Sequence, residues 1–353
     1  MSARDSWRPA ASLATLRLRA ELLHAVRGFF RARGYLEVET PVLSHDVVVD
    51  AWLEPFVAQW LPGERPTAGA EADELFLQTS PEFAMKRLLA AGATAVFQVA
   101  RVMRQGEFGR YHNPEFTMLE WYRAGDTQHE QMTFTEELVR HVCSRAATLR
   151  DEDSTSPPPG GAIELPPAPF ERLTYDEAFE RYAGTRVLKL SVAELAELAR
   201  QLRLGVPESL APVEANRGAW LNLLLAGAVE PRLGERPQFL HDYPATQAAL
   251  AKVRDGDPPV AERFELYVAG LELCNGYHEL TDPAELRRRI ARQSALRAAD
   301  GRRVLPAESR LLAAMEAGLP ECSGVALGFD RLAMLALGAD SLAEVVAFPF
   351  DRA

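Results

Sequence analysis

The sequence predicts an α+β fold in which helices flank an antiparallel β-sheet. Several segments alternate apolar and polar residues, as strands with one buried face do. These strands follow one another while the predicted helices are grouped, whereas an α/β fold would alternate the two. In addition, the chain contains no GxGxxG and no GxxxxGK[ST] motif, so neither a dinucleotide-binding fold nor a P-loop is supported.

The first half of the chain contains clear helix and strand patterns. Residues 13–33 place leucine, valine and phenylalanine at helical spacing between arginines, and Gly34 follows as a natural helix end. A proline directly after Ser80 is typical of the first turn of a helix. The predicted elements are a helix at 13–33, strands at 35–44, 75–79, 96–104 and 115–125, a helix after Ser80, and a helix at 130–147.

The second half begins with a break in composition. Residues 151–169 hold six prolines among acidic and small polar residues, which predicts a flexible loop over 151–172. A mostly helical insertion follows at 173–235. The predicted elements are helices at 174–204 and 214–229, a long strand at 261–274 that bends into 275–280, helices at 283–299 and 306–317, and a strand or turn with a helix at 323–338.

Composition excludes several classes of function. The chain has 353 residues and a net charge of −11, which argues against a broad nucleic-acid surface because phosphate binding requires clustered basic residues. Its three cysteines lack CxxC spacing, so a disulfide framework or a zinc site is not expected. No signal peptide or membrane-spanning apolar run is present, which predicts a cytoplasmic protein without membrane contact. Only three residues are lysines, and Lys86 is the only one in the first half.

Four segments place charged and polar residues within apolar strands. Charges in such positions are costly unless they are paired or coordinated. A functional site is therefore predicted where the four segments meet. The segments are Thr79–Glu82, Arg104–Glu120, Glu265–Glu279 and Gly324–Arg331.

The third of these segments suggests a magnesium site. Glu265 and Glu272 are seven residues apart, which would place them on opposite faces of a regular strand. A bend or bulge at Gly270 or Gly276 would bring them together. Two carboxylates beside Asn275 suit Mg²⁺, which prefers oxygen ligands and usually bridges to phosphates.

Two arginines, Arg104 and Arg331, are the candidate phosphate ligands, because the guanidinium fork matches two phosphate oxygens. With Mg²⁺ and without a P-loop, they suggest attack on the α-phosphate of ATP. Taken singly, such a charged residue is more often part of a surface ion pair. The run Arg287–Arg289 most simply lies on a solvated helix face. The residues alone therefore support a nucleotide-using α+β enzyme.

At these segments the sequence resembles a known family, the catalytic cores of class II lysyl-tRNA synthetases. It is more similar still to their freestanding bacterial paralogues, which modify elongation factor P. The resemblance rests on TSPEFAMKRLL, GRYHNPEFTMLEWYR, ELCNGYHELTD and SGVALGFDRLAMLALGA, and it extends over essentially the whole chain. It implies a single catalytic domain over 1–353, a class II synthetase-like antiparallel sheet flanked by helices, and a homodimer built on the helix and strand that end at Pro41.

The resemblance also implies which residues hold ATP and Mg²⁺. Arg104 and Arg331 would be the catalytic arginines, Arg104 on the α-phosphate and the substrate carboxylate and Arg331 on the γ-phosphate. Glu265 and Glu272 would hold Mg²⁺, and Glu272 would also contact ATP. The other implied ATP-binding residues are Glu107, His112, Asn113, Phe116, which would stack on adenine, Leu273 and Gly328.

An amino-acid pocket is implied in the same way. Glu82 would receive the amino group near the reacting carboxyl, and Glu120, Tyr122 and Glu279 would surround the side-chain ammonium. Carboxylates and a phenol suit a buried cation, which needs both charge and hydrogen bonds. The further implied substrate-binding residues are Ser80 and Asn275.

Two positions depart from the pattern of the synthetases. Gly106 stands where the second motif usually has glutamate, and Glu107 is the candidate replacement. Ala326 stands where lysyl-tRNA synthetases usually have glycine, and the paralogues share this alanine. Its methyl group would disfavour the ordinary α-amino placement and favour a shifted amine, as in β-lysine.

The implied activity is the activation of (R)-β-lysine with ATP and its ligation to a lysine ε-amino group of elongation factor P. Transfer to tRNA is not expected, because the chain is acidic and no anticodon-binding barrel precedes the first motif. Two alternatives remain open. One is a truncated lysyl-tRNA synthetase-like enzyme that adenylates α-lysine, and the other is an inactive paralogue that binds a partner or senses an amino acid.

Overall fold

The computed structural model describes residues 7–59, 74–152, 163–207, 210, 217–233 and 236–353. The helices are α1 (Leu13–Ala32), α2 (Glu82–Ala90), α3 (Gln128–Glu152), α4 (Tyr175–Ala183), α5 (Val192–Gln201), α6 (Arg217–Leu224), α7 (Pro283–Ala299), α8 (Arg310–Gly318) and α9 (Phe329–Leu337). The strands are β1 (Leu36–Glu37), β2 (Leu43–Ser44), β3 (Val57–Gln59), β4 (Glu74–Leu77), β5 (Ala95–Met103), β6 (Glu115–Ala124), β7 (Glu171–Thr174), β8 (Gln238–Pro244), β9 (Val253–Arg254), β10 (Val260–Val268), β11 (Leu271–His278) and β12 (Cys322–Gly328).

The chain divides into two compact units. Unit 1 contains the described residues of Met1–Asp126, Glu137–Glu164 and Thr281–Ala353. Unit 2 contains those of Thr127–Glu136 and Leu165–Leu280. The candidate site residues are distributed over both units, and each unit builds its own part from its own strands.

Unit 1 is organised around β5 and β6, which pair antiparallel from Ala95↔Arg123 to Met103↔Glu115. On the other edge of β6, β12 pairs antiparallel, while β1 joins β5 in parallel. Helix α1 covers this sheet, and the ring of Phe30 stacks on that of Phe97 with centroids 4.4 Å apart. A second, three-stranded antiparallel sheet has the order β2–β4–β3.

Unit 2 is organised around β10, which pairs antiparallel with β11 on one edge and with β8 on the other. Strand β7 extends the sheet in parallel beyond β8, and β9 pairs with one end of β10. Helices α4, α5 and α6 contribute Phe179, Leu195 and Trp220 to a buried apolar core against this sheet. Both units thus confirm the predicted α+β class, with mostly antiparallel sheets and flanking helices.

Three of the predicted elements were wrong in their continuity. The strand predicted for 35–44, which Pro41 interrupts, is two short strands, β1 and β2, that belong to different sheets. The helix predicted for 174–204 is two helices, because Gly184 is left-handed at φ 81° after α4 and a Ser191–Glu194 capping box starts α5. The strand predicted for 261–274 is the hairpin of β10 and β11. Its turn is formed by Ala269 and Gly270, both at positive φ.

The helical insertion predicted for 173–235 contains α4, α5 and α6, and α6 continues as a π-helical turn over Leu225–Val229. Residues 153–162 of the predicted loop, and 208–209, 211–216 and 234–235 of the insertion, lie outside the described residues. The assignment of 1–353 to a single domain stays a prediction.

The arginine run on α7 is an ion-pair surface. Arg287 pairs with Glu308 and Glu316, and Arg288 and Arg289 both pair with Glu285. Within the described ranges, the chain has no helix with both the length and the apolar character needed to cross a membrane.

Candidate active site

The best-defined part of the site in unit 1 is a buried cluster that we call the carboxylate pocket. It is built from two elements. Strand β6 places Glu120 and Tyr122 on the same face, because side chains two residues apart in a strand point the same way. The segment leading into α2 brings in a hydroxyl, and the first two turns of α2 bring in a carboxylate and an ammonium. The pocket consists of Ser80, Glu82, Lys86, Glu120 and Tyr122.

Both oxygens of Glu120 accept a hydrogen bond from a neutral donor. The Tyr122 hydroxyl donates to Oε1 at 2.6 Å, and the Ser80 hydroxyl donates to Oε2 at 2.8 Å. Glu120 is only 1% exposed. Burial, followed by the negative charge of Glu82, raises the pKa of Glu120 to about 7, against the hydrogen bonds from Tyr122 and Ser80 and the charge of Lys86. Within unit 1, a bound cation would therefore stabilise the ionised form of this carboxylate.

Lys86 is the residue of this pocket to which the sequence assigned no role. It lies one helical turn after Glu82, and its ammonium is 2.6 Å from Glu82 Oε1. The same ammonium lies 5.8 Å from the centroid of the Tyr122 ring. The available signal was the i,i+4 spacing of a glutamate and the single lysine of the first half on a predicted helix.

Ser80 connects the start of α2 to β6 in this pocket. Its hydroxyl oxygen accepts from the backbone N–H of Glu82 at 3.0 Å while the hydroxyl donates to Glu120. The start of α2 is thereby fixed relative to β6. The pocket residues predicted on unit 1, Ser80, Glu82, Glu120 and Tyr122, are thus brought together.

Ala326 lies directly beside this pocket. In the antiparallel pairing of β12 with β6, Ala326 is the partner of Glu120 and Gly324 is the partner of Tyr122. Directly opposed side chains in such a pair are close neighbours. The single methyl group that distinguishes this position from glycine therefore lies next to the buried carboxylate.

Arg104 follows the end of β5 and is held from three sides. Its Nε donates to the Thr79 carbonyl at 3.1 Å, and its guanidinium lies 5.2 Å from the centroid of Phe116. Its NH1 approaches Glu107 Oε1 at 3.4 Å. Glu107, the candidate replacement for a glutamate at position 106, therefore contacts Arg104. Gly106 is at φ 80°, a conformation that glutamate would adopt only with strain, which accounts for the glycine.

His112 and Arg331 form a contacting pair. Arg331 NH2 lies 2.7 Å from His112 Nε2, and Arg331 Nε donates to the Tyr111 carbonyl at 3.2 Å. Burial and the charge of Arg331 lower the pKa of His112. A neutral imidazole whose Nε2 accepts from the guanidinium fits this geometry. Gly328 lies directly before α9, and a Cβ at this position would lie 3.6 Å from the side chain of Arg331.

Asn113 uses its side chain within the protein. Its Nδ2 donates to the Glu115 carbonyl at 2.6 Å, and its Oδ1 accepts from the backbone N–H of Phe350 at 2.9 Å. Asn113 thus connects the segment before β6 to the C-terminal turn. This geometry suits a residue that shapes the loop more than one that offers its amide to a ligand.

Buried Asp330 anchors the neighbouring Arg331. Its Oδ1 accepts from Arg19 of α1 at 2.5 Å, and its Oδ2 accepts from the backbone N–H of Thr117 at 2.9 Å. One carboxylate therefore joins α1, β6 and the first turn of α9. Arg19 and Asp330 carried no prediction from the sequence.

In unit 2, the hairpin of β10 and β11 explains how Glu265 and Glu272 reach one face. Glu265 is opposite Asn275, and the register shifts from Leu266↔Cys274 to Tyr267↔Glu272, so that Leu273 is an additional residue. This β-bulge changes the alternation on β11. Glu272 therefore shares the face of Glu265 and Asn275, as the magnesium hypothesis required.

Glu265 is held by a network that the sequence did not reveal. The hydroxyls of Tyr243 and Tyr267 both donate to its Oε2 at 2.6 Å, and Arg263 donates to its Oε1. Arg263 also donates to Asn275 Oδ1 at 3.2 Å. Burial and the charge of Glu265 raise the pKa of both tyrosines, which keeps them protonated as donors.

These contacts decide how the two glutamates fit Mg²⁺. Glu265 already accepts three donors and has room for one further interaction through Oε1. Glu272 is only partly buried. Among the described residues no group of three or more His, Cys, Asp or Glu side chains could hold a metal. The pair therefore fits an ion that takes most of its ligands from phosphate and water, as Mg²⁺ commonly does. Glu279, the remaining predicted pocket residue, is buried directly after β11.

Comparisons with known proteins agree with this organisation. The model of the family of class II tRNA synthetases (D, K and N) matches residues 4–352. A protein of Vibrio cholerae named elongation factor P–(R)-β-lysine ligase is 45% identical over 99% of both chains. Proteins of the same name from Klebsiella pneumoniae and Salmonella dublin are 44% identical over the full length of both chains. The chain therefore belongs to the class II tRNA synthetase family, and its full-length relatives there are named ligases of (R)-β-lysine and elongation factor P.

Proposed function

We propose that the chain activates (R)-β-lysine with ATP and ligates it to a lysine of elongation factor P. In the first step the substrate carboxylate attacks the α-phosphorus, forming an adenylate and releasing pyrophosphate. In the second step the ε-amine of the acceptor lysine attacks the adenylate carbonyl, an amide forms and AMP leaves. The proposal rests on full-length relatives of that name and on the carboxylate pocket.

The carboxylate pocket is the single structural observation that carries the proposal. Glu120 is buried, accepts only neutral O–H donors and has a pKa raised to about 7. A substrate ammonium would supply the positive charge that favours its ionised form. We assign the side-chain ammonium to Glu120, Tyr122 and Glu279, with Ser80 lining the pocket, and the amine near the carboxyl to Glu82. Asn275 is a further proposed substrate contact.

The phosphates are assigned to Arg104 and Arg331. Arg104 would stabilise the charge that develops on the α-phosphate, and Arg331 would bind the γ-phosphate. Phe116, beside Arg104, would stack on adenine. The other ATP contacts that we propose are Glu107, His112, Glu272, Leu273 and Gly328, while Asn113, the remaining predicted ATP-binding residue, shapes the loop that carries Glu107 and His112.

Mg²⁺ is proposed as the metal that accompanies ATP. Glu272 would hold it, assisted by the remaining lone pair of Glu265. The ion would neutralise phosphate charge and so favour attack by a carboxylate. Removal of Mg²⁺ with EDTA should abolish activity, and addition of excess Mg²⁺ should restore it.

Ala326 supports the choice of β-lysine over α-lysine. The methyl group lies beside Glu120 in the register of β12 and β6. It would occupy space that an α-amino group needs and leave a β-amino group one carbon further along. This is why we favour the ligase over a lysyl-tRNA synthetase-like enzyme that adenylates α-lysine.

A homodimer is proposed from the surface of α1 and the segment that follows it. Four apolar side chains of this region, two before Pro41 (Leu13 and Leu36) and two directly after it (Val42 and Leu43), are 40–65% exposed. Apolar side chains grouped in one region are typical of an interface. We place the reaction in the cytoplasm, where elongation factor P acts in translation. Sedimentation at micromolar concentration tests the dimer.

The test of the function is ATP–pyrophosphate exchange with (R)-β-lysine, (S)-β-lysine and α-lysine, followed by the intact mass of elongation factor P. We expect strongest exchange with (R)-β-lysine and a mass increase of one β-lysyl group. An acceptor whose modified lysine is replaced by arginine is the control and should keep its mass. Preference for α-lysine, or an unchanged acceptor mass, would overturn the proposal.

A further inference from the structure

The buried Lys86–Glu82 pair has a feature that an ordinary helix ion pair lacks. Lys86 is only 1% exposed although it lies on a helix, and its partner Glu82 is also buried. An ion pair this deep rarely stabilises a fold more than apolar side chains of the same size would, because both charges lose their hydration. A role of this pair in the pocket is therefore a better explanation than stability.

Glu82 and Glu120 are two carboxylates in one buried pocket. Ser80 connects the backbone of Glu82 to the carboxylate of Glu120, since its hydroxyl accepts from the Glu82 backbone N–H and donates to Glu120 Oε2. The charge of Glu82 is the largest cause, after burial, that raises the pKa of Glu120, whereas the charge of Lys86 lowers it. Two carboxylates that share a site share a proton unless a cation compensates one of them.

A substrate with two ammonium groups requires both carboxylates in the ionised form. A proton left on either one would remove one of the two acceptors. We propose that Lys86 is a positioning residue: its charge balances that of Glu82 and so favours the ionised form of Glu120, and by holding Glu82 Oε1 it presents Glu82 Oε2 to the substrate amine. The identity of the substrate rests on the proposed function, but the compensation of the Glu82 charge by Lys86 does not.

The charged groups around the Lys86–Glu82 pair determine how strongly Lys86 acts on Glu120. The charged residues of α8, Arg310 and Glu316, which belong to a helix packed on α2, are engaged with Asp46 and Arg287. Among the described residues of unit 1, the pocket is lined by Glu82 and Lys86 from α2, Ser80 before it, Glu120 and Tyr122 from β6, and the uncharged Gln98 and Ala326 opposite Glu120 on β5 and β12.

The first test reads protonation in the ligand-free, full-length protein. Infrared difference spectra between pH 5 and pH 9 would follow the C=O stretch of protonated carboxyls, with Glu120→Gln identifying the Glu120 band. In Lys86→Met, we expect this band to persist to a pH that is higher by about one or more. Lys189→Met is the matched control, because Lys189 is an exposed lysine paired with Asp257 at 2.8 Å. It should titrate as the wild type does.

The double variant Glu82→Gln/Lys86→Met separates charge from folding, because it removes both members of the Lys86–Glu82 ion pair together. The Glu120 band of this variant should titrate at or below the wild-type pH. The substitution of Glu82 removes the charge that raises the pKa of Glu120, and the substitution of Lys86 removes a smaller effect that lowers it. If the band of Lys86→Met titrates as in the wild type, or if the double variant titrates at a higher pH, the inference is wrong.

The second test is kinetic. In Lys86→Met the KM for (R)-β-lysine at pH 7 should rise about fivefold or more, because a pKa of Glu120 that is higher by about one lowers its ionised fraction from roughly one half to roughly one tenth. The KM for ATP should stay within about twofold. An equal rise of both KM values would indicate general damage and overturn the positioning role. If the wild type shows no exchange with any lysine, the proposed function fails, and the infrared spectra still decide the role of Lys86.

Discussion

Replacing Glu120 by glutamine should stabilise the ligand-free protein while it abolishes amino-acid binding. Glutamine has nearly the same size and can still be hydrogen-bonded by Ser80 and Tyr122, since a hydroxyl both donates and accepts. It removes only the charge. Because Glu120 is 1% exposed and lies beside Glu82, that charge opposes folding in the absence of a cation.

The size of the effect follows from the pKa of Glu120. It rises from an ordinary value of 4.5 to about 7 in the folded protein. Protonated Glu120 suits the buried site, so the stability from this group is fully present below about pH 4.5 and is lost as the pH rises through about 7. At 1.36 kcal/mol per pKa unit, the penalty of the ionised group grows from roughly 1 kcal/mol at pH 5 to roughly 3 kcal/mol at pH 8.

Urea unfolding of the wild type and of Glu120→Gln at pH 5 and pH 8 measures this directly. The stabilisation by the substitution should be about 2 kcal/mol larger at pH 8 than at pH 5. Glu115→Gln is the control, because Glu115 is a half-exposed residue of the same strand that pairs with Arg101 at 2.7 Å. Its effect should be small and independent of pH. Equal effects of Glu120→Gln at both pH values would refute the conclusion that the ionised form of Glu120 destabilises the ligand-free protein.

Three further predictions follow from the site and its supports. Ala326→Gly should shift the ratio of exchange rates from β-lysine towards α-lysine, and an unchanged ratio would remove the methyl group from the explanation. Gly276→Ala should destabilise the protein by about 1–3 kcal/mol in thermal or urea unfolding, because the new Cβ would overlap the Phe264 ring. Gly28→Ala, in the open middle of α1, is its control and should stabilise by about 0.5–1 kcal/mol. EDTA should stop exchange without lowering the melting temperature, and a fall in that temperature would indicate a structural metal instead.

The sequence predicted the elements of the site better than their connections. Strand β6 and helix α7 were predicted nearly to the residue, because a run of apolar and aromatic residues ending at Gly125 and an Asp-Pro helix start define them locally. The hairpin of β10 and β11 was not, since its turn uses Ala269 at φ 51°, where a glycine or asparagine would have been the expected signal. The odd spacing of Glu265 and Glu272 did correctly indicate that a regular strand could not hold both.

The hydrogen-bond networks behind the site residues could not be read from the sequence. Arg263, Tyr243 and Tyr267 appear in the sequence as ordinary strand residues, and their convergence on Glu265 depends on the register of β8 and β10. Lys86 was visible only as an isolated lysine. Register and burial are properties of the folded chain, so a pattern of one segment does not specify which partners a side chain meets.

The two buried glutamates, Glu120 and Glu265, show why one is suited to an ammonium group and the other is not. Each accepts a tyrosine hydroxyl at 2.6 Å. Glu265 also has Arg263 on its other oxygen, so its charge is compensated within unit 2. Both oxygens of Glu120 face neutral hydroxyls, and the nearby Lys86 is bonded to Glu82 instead. A buried carboxylate without its own cation gains most from a ligand that supplies one. The fold therefore gives the two carboxylates different roles: Glu265 organises the site, and Glu120 is available to bind the ammonium group of a substrate.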